Sequence, residues 1–393
     1  MSAVLDSTIV SLDRYQEFTR ATDHGPKKGY EGLRFPLLGL FGEVGSLLSE
    51  LKKKQRDTES YVGYAASVVE EFGDVMWYFT NVADRANIKL QSLAQRMFLD
   101  LDNWDVSSRT VESFDDIQIR REHVGPVSSE KFETGAIALA GRVGRLLDEV
   151  SLARIEANRD ALQAHLIDIF RAIVQAADDA DISLQDAVEH NIAKITSRWR
   201  VDGSQYTELF DNDSDGDEQL PRRIVMLIEE KKVGQKEFVV QKCNDIKIGD
   251  HLTDNIAEQD DYRFHDAFHL SYAAILGWSP VLRSLFKVKR KSKPAIDENE
   301  DGARAGLIEE GVATWIFNHA VRVNYFATID HLDYALLKAV KELVKGYEVD
   351  RCPLWMWEEA ILEGYKVFRF LRDHRKGLVT ADLKERTITI EPV

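Results

Sequence analysis

The chain has 393 residues, of which 44% are hydrophobic and 30% are charged, so it can bury a sizeable core. Its 67 acidic and 51 basic side chains give a formal net charge of −16 at pH 7, which argues against charge-driven binding to DNA or to anionic membranes. The cysteines, Cys243 and Cys352, lie outside any CxxC motif, which excludes a disulfide framework and a zinc ribbon.

Nothing in the sequence indicates a membrane or an export pathway. No uncharged run approaches the ~20 apolar residues that a membrane-spanning helix requires. The first residues lack the basic and apolar regions of a signal peptide. We therefore expect a cytoplasmic protein that has no membrane partner and no strong affinity for nucleic acid.

Helical patterns dominate residues 1–202, where apolar residues recur at intervals of three and four. The following segment, 203–222, is acidic and poor in apolar residues, which predicts a linker. Residues 223–393 begin and end with β-rich runs and carry helical patterns between them. This order predicts an α+β C-terminal domain with a small antiparallel sheet closed by its first and last strands.

An internal repeat organises the helical half. LFGEVGSLLSEL at 40–51 recurs as LAGRVGRLLDEV at 139–150. We place the two copies at about 10–105 and about 130–200. Each copy offers two amphipathic helices that cannot bury their apolar faces alone, so the repeat predicts a mainly α fold in which both copies form one four-helix bundle within the chain.

Carboxylates border the apolar stripes of the first copy. On the first predicted helix Glu43 and Glu50 are seven residues apart, and on the next helix Glu71 and Asp74 are three apart, so each pair shares a helix face. Taken singly, each acid is explained as an ordinary exposed residue. As a set at a partly buried seam they would repel one another without a cation, and oxygen ligands suit Mg²⁺ or Mn²⁺.

The segments YQEFTRAT (15–22), LLGLFGEVGSLLSEL (37–51) and EEFGDVMWYF (70–79) resemble the MazG family of nucleoside triphosphate pyrophosphohydrolases. The resemblance implies an all-α, Mg²⁺-dependent enzyme that cleaves a nucleoside triphosphate to the monophosphate and pyrophosphate. Its ExxE…ExxD signature assigns Glu43, Glu71 and Asp74 as catalytic and metal-binding residues. Ser46 stands in place of the second Glu, and Glu50 is the candidate replacement ligand.

The second copy has lost most of these acids, since Arg142 replaces Glu43. It keeps a segment that resembles the family's N-x-x-K-x-x-x-R motif, at Asn191, Lys194 and Arg198. We therefore expect one composite site per chain, with metal ligands from the first copy and phosphate-binding groups from the second. The alternative is that the second copy is only a scaffold.

Basic residues at the end of the first acid-bearing helix are further candidates. Lys54 and Arg56 are placed to bind substrate phosphate as charged donors. A solvated helix end, which favours basic residues, is the usual explanation of such a run.

The C-terminal half resembles the extra domain of some bacterial MazG-like proteins. Within it, His265 and His269 lie four residues apart on one predicted helix and, with Glu310, form a second, weaker candidate metal site. Buried, hydrogen-bonded histidines are the alternative, because HDAFH is not an HExxH motif.

The functional prediction is a Mg²⁺-dependent pyrophosphohydrolase acting on nucleoside triphosphates, in nucleotide-pool control or in nucleotide depletion during stress or phage defence. The substituted Ser46 leaves open a non-catalytic protein that senses nucleotides. The basic run Lys287–Lys293 leaves open a weak RNA-binding module. A homodimer also remains open.

Overall fold

The computed structural model describes residues 9–27, 29–99, 110–118, 129–151, 158–201, 203–234 and 236–393. The chain divides into two compact units, Met1–Thr196 and Ser197–Val393. The sequence-based boundary after residue 202 lies a few residues beyond this division. The end of the predicted first copy, 100–105, and residues 152–157 of the predicted second copy lie outside the described residues.

The first unit is built from helices. They are α1 (Leu12–Ala21), α2 (Arg34–Asp57), α3 (Tyr64–Arg85), α4 (Leu90–Leu99), α5 (Phe114–Ile117), α6 (Ser129–Ser151), α7 (Arg159–Asp179) and α8 (Leu184–Arg198), the last of which ends in the second unit. The predicted four-helix bundle is confirmed, because α2, α3, α6 and α7 bury their apolar stripes in one core. Leu40 and Phe72 represent the first copy in that core, and Leu139 and Leu166 the second.

The two copies share a contact that places the start of the second copy earlier than predicted. In the first copy, the Gln16 amide group donates to the Ile88 carbonyl at 3.0 Å and accepts from the N–H that opens α4. In the second copy, Gln118, directly after α5, donates to the Ile182 carbonyl at 2.6 Å and accepts from the N–H that opens α8. The second copy therefore begins with α5, not near residue 130.

Helix ends repeat in the same way. Asn87 follows α3 and Asp181 follows α7, and both adopt left-handed backbone angles, with φ of 55° and 56°. Asn and Asp are the non-glycine residues that tolerate this conformation best, so each copy ends its second long helix by the same means. Ser11 and Ser113, which stand before α1 and α5, pair in an isolated antiparallel bridge.

The second unit combines helices with one antiparallel sheet, as the sequence predicts. The strands are β1 (Arg223–Val233), β2 (Lys236–Cys243), β3 (Ile246–Leu252), β4 (Lys376–Asp382) and β5 (Thr387–Glu391), in the order β3-β2-β1-β4-β5. The helices are α9 (Asp266–Ser271), α10 (Pro280–Phe286), α11 (Pro294–Asn299), α12 (Ala303–Ala320), α13 (Tyr334–Leu343) and α14 (Leu354–His374). A π-helical turn, Tyr272–Leu276, continues α9.

The closure of the sheet differs from the prediction. The first strand, β1, is central and pairs with both β2 and β4, so that Met226 faces Cys243 on one side and Val379 on the other. The last strand, β5, pairs with β4 and lies at the edge. The physical reason is a tight turn between β4 and β5, in which Arg386 has a φ of 56° and the tail folds back on itself.

The segment 203–222 differs from the predicted linker. Phe210 and Asp211 are buried, and the Asp211 carboxylate accepts hydrogen bonds from Arg283 and Arg222, each at 2.7 Å. Composition alone suggested a solvated chain, but Arg283 from elsewhere in the second unit and Arg222 at the end of the segment compensate the buried charge. No helix in the described ranges is long and apolar enough to cross a membrane.

Candidate functional site

Three of the predicted metal ligands converge where α2 packs against α3. Glu43 lies on α2, and Glu71 and Asp74 lie on α3, beside the buried stripes that hold the two helices together. Each contributes one carboxylate oxygen to a group in which all the oxygens lie within 4.8 Å of one another. The three side chains are half-buried. We call Glu43, Glu71 and Asp74 the acid cluster.

The acid cluster holds more negative charge than its surroundings readily support. Burial, together with the charges of Glu43 and Asp74, raises the pKa of Glu71 to about 8. Burial and the charge of Asp74 also raise the pKa of Glu43. Burial raises the pKa of Asp74 as well, although Lys194 opposes the shift. These are the shifts expected of carboxylates that repel one another where water is partly excluded.

An unused ligand atom lies in the same cluster. Glu71 Oε2 is buried and has no hydrogen-bond partner among the described residues. A buried carboxylate oxygen without a donor is costly, and a bound cation would remove that cost. The residues present therefore fit a hard divalent cation such as Mg²⁺ or Mn²⁺.

Helix α8 of the second copy brings two polar groups to the acid cluster. Lys194 Nζ lies 2.5 Å from Asp74 Oδ2 and 3.0 Å from Glu70 Oε1. Asn191 donates its amide N–H to Asp74 Oδ1 at 2.9 Å. In turn, the buried Tyr15 hydroxyl donates to Asn191 Oδ1 at 3.1 Å. Both copies thus contribute side chains to one site.

Gly73 allows this close approach of α8 to α3. A Cβ atom at position 73 would lie 2.6 Å from the Ala187 carbonyl oxygen and 2.9 Å from Asn191 Cβ, both too short for real contacts. Because Gly73 precedes Asp74 in the chain, the absence of its side chain lets Asn191 and Lys194 reach that carboxylate.

Glu50 is not part of the acid cluster. It lies two turns, or about 10 Å, beyond Glu43 along α2. Its carboxylate accepts a hydrogen bond from Lys53 at 2.5 Å and another from the Tyr61 hydroxyl. Glu50 has nearly the same angular position on α2 as Glu43. The rise along the helix, however, places its carboxylate beside Lys53 and Tyr61 instead of in the acid cluster.

Lys54 and Arg56 stand at the C-terminal end of α2, about 16 Å and about 20 Å along the helix from Glu43. Lys54 donates to the Thr58 carbonyl at 2.9 Å, and the exposed Arg56 pairs with Asp57 at 2.7 Å. The structure does not bring them to the acid cluster, because the rise along the helix separates them from Glu43 and both side chains bind partners at the helix end.

Arg198, the third residue of the proposed phosphate-binding segment, belongs to the second unit. Its guanidinium donates to Glu358 at 2.9 Å and to the Leu332 carbonyl at 2.7 Å, and it stacks over the Trp199 ring. This buried ion pair gives Arg198 a structural role in the second unit, in place of the predicted role in phosphate binding.

Tyr15 and Gly73 were not predicted as site residues. Tyr15 occurs in the YQEFTRAT segment, but its partner Asn191 is 176 residues away, so no local pattern reveals the contact. Glu70 lies about 100° from Glu71 around the helix, yet the long Lys194 side chain reaches it. For Gly73, the signal was present: a glycine inside a helix that lies next to a functional acid.

The comparisons with known proteins agree with the resemblance in the sequence. Residues 205–393 match the MazG C-terminal domain. The chain therefore carries a MazG C-terminal domain, a match that supports a MazG-like family. It is also 34% identical over 68 residues to the Gene 37 protein of Mycobacterium phage L5, a match that covers 17% of the chain and 60% of the phage protein. The match thus covers less than two thirds of the length of that relative. No solved structure matches the chain.

The matched C-terminal domain contains a second cluster of potential ligands. His265, Asp266 and His269 each offer one atom to a group that lies within 4.8 Å, and all three side chains are buried. Glu310 Oε1 lies 3.4 Å from His269 Nε2, and Glu310 Oε2 lies 3.8 Å from His265 Nε2. Burial alone would lower the pKa of His269, but the facing Glu309 and Glu310 raise it well above its usual value. The structure therefore brings together the three residues predicted for the weaker site, and it adds Asp266.

Proposed function

We propose that the first unit of this MazG-like protein is a Mg²⁺-dependent pyrophosphohydrolase that converts a nucleoside or deoxynucleoside triphosphate and water to the monophosphate and pyrophosphate. One observation carries this proposal. The acid cluster of the first copy meets Lys194 and Asn191 of the second copy at a single place. A cation-binding group beside a phosphate-binding group is the arrangement that triphosphate hydrolysis requires.

Glu43, Glu71 and Asp74 would hold Mg²⁺, or Mn²⁺ in its place. The bound cation would neutralise the triphosphate and stabilise the charge on the leaving pyrophosphate. Lys194, held beside Asp74 and Glu70, supplies an ammonium group that can donate to a phosphate oxygen. Asn191 keeps the Asp74 carboxylate oriented.

The chain also offers an acceptor for the proton of the attacking water. In the reaction, the water oxygen bonds to the α-phosphorus and the bond from that phosphorus to the bridging oxygen of the β-phosphate breaks. The water proton passes to a carboxylate of the acid cluster. Glu71 is the candidate, because its pKa of about 8 in the metal-free cluster lies near neutral pH, and a bound cation would displace the proton that it then holds.

The substituted Ser46 and the engaged Glu50 support a second candidate, a protein that binds nucleotides without hydrolysing them. Three carboxylates remain at a site where the family signature has four. The free thiols of Cys243 and Cys352 suit the cytoplasm as the proposed compartment of either function.

The deciding experiment measures pyrophosphate release from a panel of ribo- and deoxynucleoside triphosphates with Mg²⁺ and with Mn²⁺. The wild type is compared with Glu71→Gln and with His165→Gln, the equivalent change in the second copy. We expect monophosphate and pyrophosphate in equal amounts and a loss of about 10²-fold or more in the Glu71 variant alone. Saturable nucleotide binding without turnover would establish the sensor. Turnover that survives in Glu71→Gln would refute the assigned site.

A further inference from the structure

The second unit contains a group of side chains whose chemistry differs from that of the acid cluster. His265 stands directly before α9, His269 lies one turn later, and Glu310 projects from α12. The described residues thus contain one potential cation site made only of carboxylates and another that includes two imidazoles. Imidazole and carboxylate together favour transition metals over Mg²⁺.

Both imidazole rings are oriented through their Nδ1 atoms. His269 Nδ1 lies 2.8 Å from Glu309 Oε1, and His265 Nδ1 lies 2.9 Å from the Tyr262 carbonyl oxygen. The Tyr262 ring also stacks on the His265 ring, with centroids 4.4 Å apart and the planes 3° from parallel. Each Nδ1 atom faces an acceptor, so the hydrogen belongs on Nδ1, and in the ion-bound form each Nε2 would present its lone pair. This is how proteins orient histidines that bind metals.

The Nε2 atoms of both histidines face carboxylate groups. His269 Nε2 is fully buried and makes no hydrogen bond to any described atom, although Glu310 Oε1 is 3.4 Å away. His265 Nε2 lies 3.3 Å from Asp266 Oδ1 and 3.8 Å from Glu310 Oε2. Neighbouring ligands around a tetrahedral metal at about 2.1 Å are separated by about 3.4 Å, so these spacings suit a shared ion.

The adjacent acids Glu309 and Glu310 have different environments. The buried Glu309 accepts hydrogen bonds from Ser279 at 2.7 Å and from the Val281 N–H at 2.8 Å, besides its contact with His269. Its oxygens are therefore occupied, and it positions His269. The Glu310 side chain is 40% exposed and faces both Nε2 atoms. It is the carboxylate available to an ion.

We propose that His265, His269, Asp266 and Glu310 form a binding site for a divalent transition metal such as Zn²⁺, separate from the acid cluster of the first unit. The site opens on a cavity of about 630 Å³ lined by three of these ligands, His265, Asp266 and Glu310. An open side leaves a coordination position for water or another ligand, as in metal sites that carry out chemistry. Lys287 and Lys289 line the same cavity, so a small anion such as phosphate is the ligand that suits this position.

The test uses the full chain after its metals have been removed with a chelator. Zn²⁺ is titrated against a competing chelator with Mg²⁺ in excess, so that the acid cluster is already supplied with its preferred cation. We expect one Zn²⁺ per chain. We expect at least about tenfold weaker binding in Glu310→Gln and in His265→Gln, because each removes one ligand. Glu298→Gln, at an exposed acid on α11, is the matched control and should bind as the wild type does.

Two results would overturn the site. One is the absence of stoichiometric Zn²⁺ binding, and the other is unchanged binding in both ligand variants. Either would make the cluster a buried hydrogen-bond network. Glu310 is partly exposed, so Glu310→Gln should fold, which circular dichroism verifies. Glu71→Gln serves as a further control that should retain Zn²⁺.

Cobalt and inorganic phosphate test the open position. Co²⁺ in the wild-type site should give a visible absorption band that shifts when inorganic phosphate is added. Lys289→Gln should require more phosphate for the same shift, because it removes a positive charge from the cavity wall. A band that does not respond to saturating phosphate would refute the anionic ligand.

Discussion

The two copies of the repeat in the first unit have kept the same packing and diverged in charge. Gln16 and Gln118 make the same pair of backbone contacts, and both copies end their second long helix with a left-handed residue. At the functional positions they differ. Asp74 lies in the acid cluster, whereas its counterpart Asp168 forms an ion pair with Arg142 at 3.0 Å and is half-exposed.

This difference explains why the described residues contain one such cluster of carboxylates. His165 replaces Glu71 and lies 3.1 Å from Glu149, so the second copy has no comparable group of carboxylates in the described residues. Instead it supplies Asn191 and Lys194 to the first copy. A symmetric pair of copies would hold two equivalent clusters, but the changes in charge leave the acid cluster in one copy and the side chains that contact Asp74, Asn191 and Lys194, in the other.

The largest expected effect is a difference in turnover between variants of the two equivalent aspartates, Asp74 and Asp168. Asp74→Asn removes a cluster carboxylate that lies against Lys194, so pyrophosphate release should fall by about 10²-fold or more. Asp168→Asn removes only a surface ion pair, which contributes little to stability, and should leave turnover within about twofold of wild type. Steady-state rates at saturating Mg²⁺ measure both. Equal losses in the two variants would mean that the copies are functionally equivalent.

A glycine substitution tests the contact between the copies. Gly73→Ala places a Cβ against the Ala187 carbonyl and Asn191, so it should destabilise the chain by about 1–3 kcal/mol and weaken substrate binding as α8 is displaced. Gly141→Ala is the control in the second copy, where the added Cβ would meet nothing closer than 3.8 Å. That change should stabilise α6 by about 0.5–1 kcal/mol.

Denaturant unfolding with a nucleotide-binding assay measures these two changes. A Gly73→Ala variant with wild-type stability and wild-type nucleotide affinity would show that α8 does not depend on the missing side chain.

Substitution of the equivalent glutamines, Gln16 and Gln118, should lower the free energy of unfolding by similar amounts. Gln16→Ala and Gln118→Ala each leave a helix-opening N–H and a buried carbonyl without their partner, at a cost of about 1–3 kcal/mol each. We expect the two losses in the free energy of unfolding to agree within about 1 kcal/mol. A far larger loss for Gln16 would mean that the second copy has also diverged in its packing.

The sequence predicted those parts of the site that a periodic pattern can specify. Glu43, Glu71 and Asp74 border apolar stripes. Because the two helices bury these stripes against each other, the three carboxylates were expected to converge, as they do. The pattern did not specify what each side chain meets beyond its own helix. Glu50 had a suitable angular position but is held by Lys53 and Tyr61.

Long-range partners explain the remaining differences. Arg198 satisfied the spacing of a motif, yet Glu358, 160 residues away, determines its role. Asp211 lies in a run with the composition of a linker, but Arg283, 72 residues away, compensates its buried charge. Such pairs join segments with no common periodicity, so neither could be inferred from the composition or spacing of either segment.

The smallest predicted effect concerns pH and again distinguishes the copies. Glu71 has a pKa of about 8 against a usual 4.5, so below about pH 8 the metal-free acid cluster holds a proton that a bound cation must displace. Mn²⁺ affinity should therefore rise by up to about tenfold per pH unit between about pH 6 and about pH 8 and then level off.

The pH dependence of folding stability has the opposite sign. Because the folded state keeps a proton that the unfolded chain has lost above its usual pKa, the metal-free chain should lose stability as the pH rises through this window. Glu71→Gln should remove both slopes, and Asp168→Asn, in the copy without the cluster, should keep them. Calorimetric titration in two buffers with different ionisation enthalpies counts the released protons, and a release near zero at about pH 7 would contradict the coupled cluster.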